Sequence, residues 1–128
     1  MDDSIRKYLY DVNEAINNIE GFMDERSRNY MIFCNDLLYQ HAVERNLSVI
    51  GEAINKILKL HPDIAITSAR KIVDLRNFIV HSYDSIQPVM IWGIMVRHLP
   101  LLKQEISNLL KTDELLLVIP VNKFYYFL

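Results

Sequence analysis

The chain has 128 residues, 51% of them hydrophobic and 23% charged, and a formal net charge of −2. This composition excludes a disordered chain, predicts one globular domain, and offers no general electrostatic attraction to nucleic acid. The single cysteine, Cys34, and the lack of any run of about 18 uncharged apolar residues predict a cytoplasmic protein with no disulfide and no membrane span.

Helices dominate the prediction because the chain contains only three glycines and four prolines. Apolar residues recur every three or four positions from residue 3 to residue 23, which predicts a first helix. A second, long helix is expected from about residue 28 to residue 60, ended by His61 and Pro62. Residues 28–34 either belong to this helix or form a separate helical turn.

The second half of the chain predicts two more helices and an apolar tail. The third helix is expected over residues 64–80 with Asp63 as its cap, and the fourth begins near residues 85–88, with a kink at Pro100. Residues 1–112 are therefore predicted to form an all-α, up-down four-helix bundle. The apolar tail, residues 113–128, packs on the bundle or on another subunit, or else stays disordered.

Residues 76–83 read Arg-Asn-Phe-Ile-Val-His-Ser-Tyr and carry the clearest chemical signal. An arginine side chain binds phosphate oxygens in a bidentate manner, and a histidine side chain can move a proton near neutral pH. Arg76 and His81 therefore suggest chemistry on a phosphate ester. The alternative is that a surface arginine, a helix-end histidine and a packed Tyr83 are neighbours by coincidence.

Helical geometry restricts how this segment can work. Successive residues rotate by about 100°, so Arg76 and His81 point about 140° apart on one ideal helix. Arg76 instead aligns with Tyr83, and Asn77 lies near the line of His81. For Arg76 and His81 to act on one phosphate, either the helix ends near Val80 or a second copy of the chain supplies the missing groups.

Other polar residues give weaker signals. Arg45 and Glu52 are seven residues apart and share one face of the second helix, which is either a solvent-facing stripe or a face beside the third helix that lines the site. His41 is expected in the core or at an interface. The four histidines have no metal-ligand spacing, so neither a metal nor a cofactor is predicted.

Several segments together resemble the HEPN superfamily and, within it, the HepT-like toxins. The similar segments are His41–Ala53 in the second helix, the connector His61–Ile64, Asp74–Asn77 followed by His81–Tyr83, and Trp92 with Leu99–Lys103 in the last helix. The resemblance covers residues 4–110. Ser82 stands where family members often have glycine, and the tail after Asp113 has no counterpart.

The resemblance implies a homodimeric four-helix bundle with the motifs of both subunits facing one cleft. It implies metal-independent RNA cleavage by the toxin of a type VII-like toxin–antitoxin module. The implied partner is a minimal nucleotidyltransferase antitoxin, which in such modules transfers AMP to the motif tyrosine, here Tyr83. Arg76 and His81 are the expected catalytic residues, with Asn77, Tyr83, Arg45 and Glu52 supporting them or binding RNA.

Two other interpretations remain open at the level of sequence. One is a non-catalytic HEPN-like binding module that holds a nucleotidyltransferase, with Arg76 binding phosphate and His81 structural; the net negative charge favours it mildly, because RNA binding usually needs positive charge. The other is a purely structural helical dimer.

Overall fold

The computed structural model describes residues 1–81 and 87–112, and the described part is helical with no strand. The first four helices are α1 (Asp3–Glu25), α2 (Tyr30–Cys34), α3 (Leu37–Leu60) and α4 (Ala69–His81). The last helix, α5, begins as Pro88–Gly93, passes through the π-helical segment Ile94–His98 and continues as an α-helix over residues 99–112. The predicted all-α bundle is confirmed, with the short α2 added to four long helices.

Side-chain caps explain where the first three helices begin. Asp2, Asn29 and Asp36 each accept a hydrogen bond from a backbone N–H in the first turn of the helix that follows, at 2.6, 2.8 and 3.0 Å. Two of these caps fall inside the region where one long helix was possible. Residues 30–34 therefore form a separate helix, and the long helix α3 starts only after Asp36.

The start of α4 differs from the prediction. The third helix was expected from Ile64 with Asp63 as its cap, but α4 begins at Ala69. Glu105 of α5 accepts hydrogen bonds from the backbone N–H of Thr67 at 2.7 Å and from its hydroxyl at 2.9 Å. This contact fixes the segment before α4 against α5, although the two residues are far apart in sequence.

Pro100 does not break the last helix. A proline has no N–H to donate, so a regular α-helix would lose one backbone hydrogen bond at this position. The turn just before it is π-helical, and the N–H of Leu99 donates to the carbonyl of Ile94, five residues earlier. The helix thus adjusts its backbone ahead of the proline and continues to residue 112.

The core lies around α3, which packs between α1 and α4. The side chains of Asn18 and Asn46 are hydrogen-bonded at 3.1 Å across the antiparallel helices α1 and α3. Phe33 of α2 is fully buried and packs against the ring of Tyr39 at 4.8 Å and that of Trp92 at 5.5 Å, measured between ring centroids. This contact places α2 beside the beginnings of α3 and α5.

No helix in the described ranges is both long enough and apolar enough to cross a membrane.

Candidate active site

Arg76 lies at a point where α4 approaches α3 closely. A Cβ atom added at Gly51 of α3 would overlap the Cβ of Arg76 and lie 2.6 Å from its Cγ and 3.3 Å from the carbonyl oxygen of Ile72. Only a residue without a side chain fits at this point. Gly51 therefore sets the distance between the two helices and holds the stem of Arg76 in place.

The guanidinium of Arg76 is only partly hydrogen-bonded to the described residues of its own chain. Its Nη1 donates to Oδ1 of the neighbouring Asn77 at 3.2 Å. Its Nε is buried and has no acceptor among the described residues. Buried polar groups are normally hydrogen-bonded, so this unpaired donor on a permanently charged side chain is an exception within the described residues.

His81 is the last residue of α4 and is exposed. Because α4 stays helical from Arg76 to His81, the two side chains leave the helix about 140° apart and about 7.5 Å apart along its axis. The described helix ends at His81, one residue after Val80, so both side chains stay on one continuous helix up to that point.

Asn77 and Tyr83 are the other predicted residues of the segment, and the structure describes only Asn77. The side-chain oxygen of Asn77 is held by Arg76, and within the described residues Asn77 makes no hydrogen bond to His81. Asn77 thus contacts the arginine in this structure, and its predicted supporting role stays a prediction. Tyr83 lies outside the described residues, so its predicted role stays a prediction.

Glu52 and Arg45 are not brought to Arg76 within one chain. Glu52 is exposed, its Oε1 lies 3.5 Å from Nζ of Lys56, and it lines a shallow groove of about 180 Å³ beside Tyr8 of α1. Arg45 is exposed on the same face of α3. Gly51, one position before Glu52, is the residue that faces α4. This arrangement corresponds to the solvent-facing stripe.

His41 is also exposed, so it does not lie in the core of its own chain, and the predicted alternative of an interface stays a prediction. It lies beside Glu44, whose pKa is raised by burial of the carboxyl group, an effect that attraction to His41 partly offsets. In the ranges that the structure describes, no group of three or more His, Cys, Asp or Glu side chains is placed to hold a metal ion.

Comparison with known proteins identifies the family. The family model described as ribonuclease HepT-like matches residues 12–109, which include α3, α4 and most of α5. The chain belongs to the HepT-like ribonuclease family.

Three relatives are similar to this HepT-like chain over most of its length. “Probable ribonuclease HepT” of Thermococcus cleftensis is 33% identical over 115 residues, which cover 87% of this chain and 100% of the relative. “Putative RNase MJ1380” of Methanocaldococcus jannaschii is 29% identical over 107 residues, covering 80% of this chain and 94% of the relative. “Putative RNase MJ1216” of the same organism is 29% identical over 114 residues, covering 86% of this chain and 90% of the relative. No solved structure gives a significant match.

Gly51 lies against Arg76 in this HepT-like protein, a contact that was not predicted from the sequence. A glycine inside a helix costs about 0.5–1 kcal/mol relative to alanine, so its presence in the middle of α3 was a usable signal of close approach. The sequence did not reveal which helix approaches it. That information depends on the register between α3 and α4, which places Gly51 opposite Arg76.

Proposed function

We propose that this HepT-like protein is an endoribonuclease whose active site forms where two copies of the chain meet, with Arg76 and His81 as its catalytic residues. The observation that carries the proposal is the continuous helix from Arg76 to His81. It keeps the two side chains on different faces of α4, so a second subunit is needed for arginine and histidine to surround one phosphate.

Exposed apolar side chains support a dimer through this part of the molecule. The segments concerned are α2, the start of α3, the end of α4 and the start of α5, and Phe33 of α2 packs against Trp92 at the start of α5. Large apolar side chains are exposed in all four of these segments, which favours their burial against another surface. They are Met31, Ile32, Leu37, Leu38, Phe78, Val80, Val89 and Met90.

The proposed chemistry needs only the RNA and these side chains. His81 of one subunit, in its neutral form, takes the proton from a ribose 2′-hydroxyl, and the 2′-oxygen attacks the adjacent phosphorus. Arg76 stabilises the negative charge that develops on the phosphoryl oxygens. The bond from phosphorus to the 5′-oxygen breaks, and protonated His81 of the other subunit gives that oxygen its proton. The products are a 2′,3′-cyclic phosphate and a free 5′-hydroxyl, and no metal takes part.

The same proposal gives the protein a place in a type VII-like toxin–antitoxin module in the cytoplasm. A minimal nucleotidyltransferase antitoxin would transfer AMP to the hydroxyl of Tyr83. On an ideal helix Tyr83 follows the line of Arg76, so the added phosphate would compete with RNA for the guanidinium and its bulk would block the cleft. The intact mass of the protein co-expressed with the adjacent gene product tests this step.

Activity of the purified protein on single-stranded RNA tests the catalytic assignment. We expect Arg76→Ala and His81→Ala each to lower the cleavage rate by roughly 100-fold or more. Arg70→Ala removes an exposed arginine from the same helix and serves as the matched control, with little change expected. Cleavage by His81→Ala at the wild-type rate would falsify the assignment.

A mixed dimer tests whether one cleft uses both subunits. Wild-type and His81→Ala chains with different tags can be co-expressed and the heterodimer isolated by two affinity steps. If one histidine acts as base and the other as acid, the heterodimer should be nearly as inactive as the mutant homodimer. Half of the wild-type activity would instead indicate two independent sites.

The non-catalytic alternative gives a different pattern in the same assays. A binding module that holds a nucleotidyltransferase would leave RNA intact in the wild-type protein and in every variant. It would still bind its partner, and Arg76→Ala would weaken that binding or the binding of a nucleotide. The net charge of −2 is the observation that favours this second function.

A further inference from the structure

An apolar cavity among α3, α4 and α5 has no part in the proposed reaction. It has a volume of about 260 Å³ and opens to solvent. An aliphatic protein cavity of roughly 150 Å³ is enough to bind benzene, and sites for small molecules usually measure about 300–1,000 Å³. The cavity is therefore large enough to hold a small organic molecule.

The walls of the cavity are aliphatic. Among the described residues that line it there is no phenylalanine, tyrosine or tryptophan, so no such ring is available to stack on an aromatic ligand. The walls are formed mainly by branched side chains from three helices: Leu47, Ile50, Ile72, Leu75, Leu99 and Leu102. Such walls suit a hydrocarbon chain, because its burial is favourable in proportion to the apolar area removed from water.

Two side chains that can carry positive charge lie at the mouth of the cavity. Lys71 of α4 and His98 of α5 are exposed there, and neither makes a hydrogen bond or an ion pair within the described residues. Glu105 also lines the cavity, but its Oε2 is held by two hydrogen bonds from Thr67. Donors are thus left without partners at the opening of an apolar space, and an anionic head group would complement them.

The backbone beside the cavity is irregular. Ile94 and His98, the first and last residues of the π-helical segment of α5, both line the cavity. Single π-helical turns within an α-helix are frequent at functional sites. The backbone adjustment ahead of Pro100 therefore also forms one side of the cavity, including the histidine at its mouth.

We propose that this cavity binds a small amphipathic anion, namely an aliphatic chain that ends in a carboxylate. The chain occupies the space among the three helices, and the carboxylate lies at the mouth between Lys71 and His98. Because Ile72 and Leu75 belong to α4, the ligand contacts the helix that carries Arg76, whatever reaction that helix serves. The apolar tail, residues 113–128, lies outside the described residues and has no part in this proposal.

Titration of the full-length protein with decanoate tests the proposal. We expect saturable one-to-one binding with a dissociation constant below about 1 mM, an affinity that a ligand of about twelve non-hydrogen atoms can reach. Decyltrimethylammonium has the same chain with a positive head group and is the matched control ligand, which should bind at least several-fold more weakly. Equal affinity for the two ligands would contradict the proposed recognition of the carboxylate.

Substitutions at the mouth test where the carboxylate lies. Lys71→Ala and His98→Ala each remove a donor and should weaken decanoate binding by about 3- to 10-fold. Lys59→Ala makes the same change at an exposed lysine of α3 that does not line the cavity, and it should leave the affinity unchanged. If the two mouth variants bind decanoate as tightly as Lys59→Ala does, the proposed position of the carboxylate is wrong.

Intermolecular nuclear Overhauser effects locate the chain of decanoate in the wild-type protein, so this measurement does not depend on the folding of a variant. We expect contacts from its methylene protons to the methyl groups of Ile72, Leu75, Leu99 and Leu102. Contacts confined to the exposed apolar side chains of α2 and the start of α3 would place the ligand elsewhere and overturn the proposal. Absence of saturable binding would overturn it as well, and RNA cleavage by the same preparation would show that the proposed function stands without it.

Discussion

Helices α1 and α4 pack on the same central helix α3, but they bury themselves to different degrees. In α1, seven of 23 residues are buried, in one stripe from Ile5 to Met23 that faces α3. In α4, only Ala69, Val73 and Ile79 are buried among 13 residues. The apolar stripe of α1 is thus buried within its own chain, whereas large apolar side chains of α4 stay exposed.

The polar groups of α1 are also more fully paired than those of α4. The charges of α1 are paired at the surface, as in the contact of Lys7 with Asp11 at 3.2 Å, and such pairs add little stability. On α4, the Nε of Arg76 is buried without an acceptor in the described chain. Within the described residues, α1 thus has paired surface charges, whereas α4 keeps one buried donor without an acceptor.

The largest effect should come from breaking the proposed dimer at α4. Phe78 lies near His81 on the outer face of the helix and is 36% exposed. Phe78→Asp would place a charge in the interface, and we expect sedimentation to show a monomer and RNA cleavage to fall by roughly 100-fold or more.

A matched change on α1 makes that experiment specific. Tyr10 is also aromatic and 47% exposed, so Tyr10→Asp alters the surface in a similar way on the helix that is already satisfied. It should leave the oligomeric state and the cleavage rate unchanged. A Phe78→Asp protein that remains dimeric and active would show that the exposed face of α4 has another role.

The next effect should come from Gly51, where α3 and α4 touch. Gly51→Ala forces the backbone of α3 away from the Cβ of Arg76, and we expect a loss of about 1–3 kcal/mol in the free energy of unfolding. Urea denaturation measures this loss, and the RNA cleavage rate should fall as Arg76 moves.

Gly21 of α1 provides the control for this substitution. A Cβ at Gly21 meets no atom within 4 Å, so Gly21→Ala should stabilise the protein by about 0.5–1 kcal/mol through helix propensity alone. If both alanine variants were equally stable, the close approach at Gly51 would not be a real constraint.

The outcome at these positions also shows what sequence alone could predict. The apolar spacing predicted the long helices, and the rotation of 100° per residue predicted that Arg76 and His81 face different ways, because both depend on neighbours within a few residues. The start of α4 could not be predicted in this way. It depends on Glu105 holding Thr67, a contact across 38 residues that leaves no local pattern.

For the proposed site, the sequence supplied candidate residues but not their surroundings. Arg76 and His81 were chosen for their chemistry, and the structure supplies the surroundings of the arginine: Gly51 beneath it and Asn77 beside it. The sequence placed Arg45 and Glu52 on one helix face correctly, but it could not show that Gly51, one residue away from Glu52, is what meets α4. Gly51 and Glu52 are neighbours in sequence, but their positions point about 100° apart around the helix axis, so they face different surroundings.

A smaller effect is expected where α4 is attached to the rest of the fold. Glu105→Ala removes the acceptor of both Thr67 hydrogen bonds, and because the site is exposed we expect a loss of only about 1 kcal/mol in the free energy of unfolding. Hydrogen exchange of residues 61–68 should rise. Glu14→Ala makes the same chemical change at an exposed position on α1. It should change neither the free energy of unfolding nor the hydrogen exchange of residues 61–68.

The smallest effect concerns pH and the beginning of α3. Burial raises the pKa of Glu44 in the folded state above its value in the unfolded chain, with attraction to His41 opposing part of the shift. The folded protein therefore holds this proton more tightly, and the carboxylate form costs stability as the pH rises through the folded pKa. Glu44→Gln should raise the melting temperature at pH 7 by roughly 1 °C.

That gain should fade as the pH falls to about 4, because both states then carry a neutral Glu44 side chain in the wild-type protein. Glu14→Gln is the control, since Glu14 is exposed on α1, and its melting temperature should follow that of the wild type at every pH. A Glu44→Gln variant less stable than wild type at pH 7 would mean that the attraction to His41 outweighs the burial of the carboxylate. The start of α3 would then be stabilised by the attraction between Glu44 and His41, unlike the surface of α1, where ion pairs add little stability.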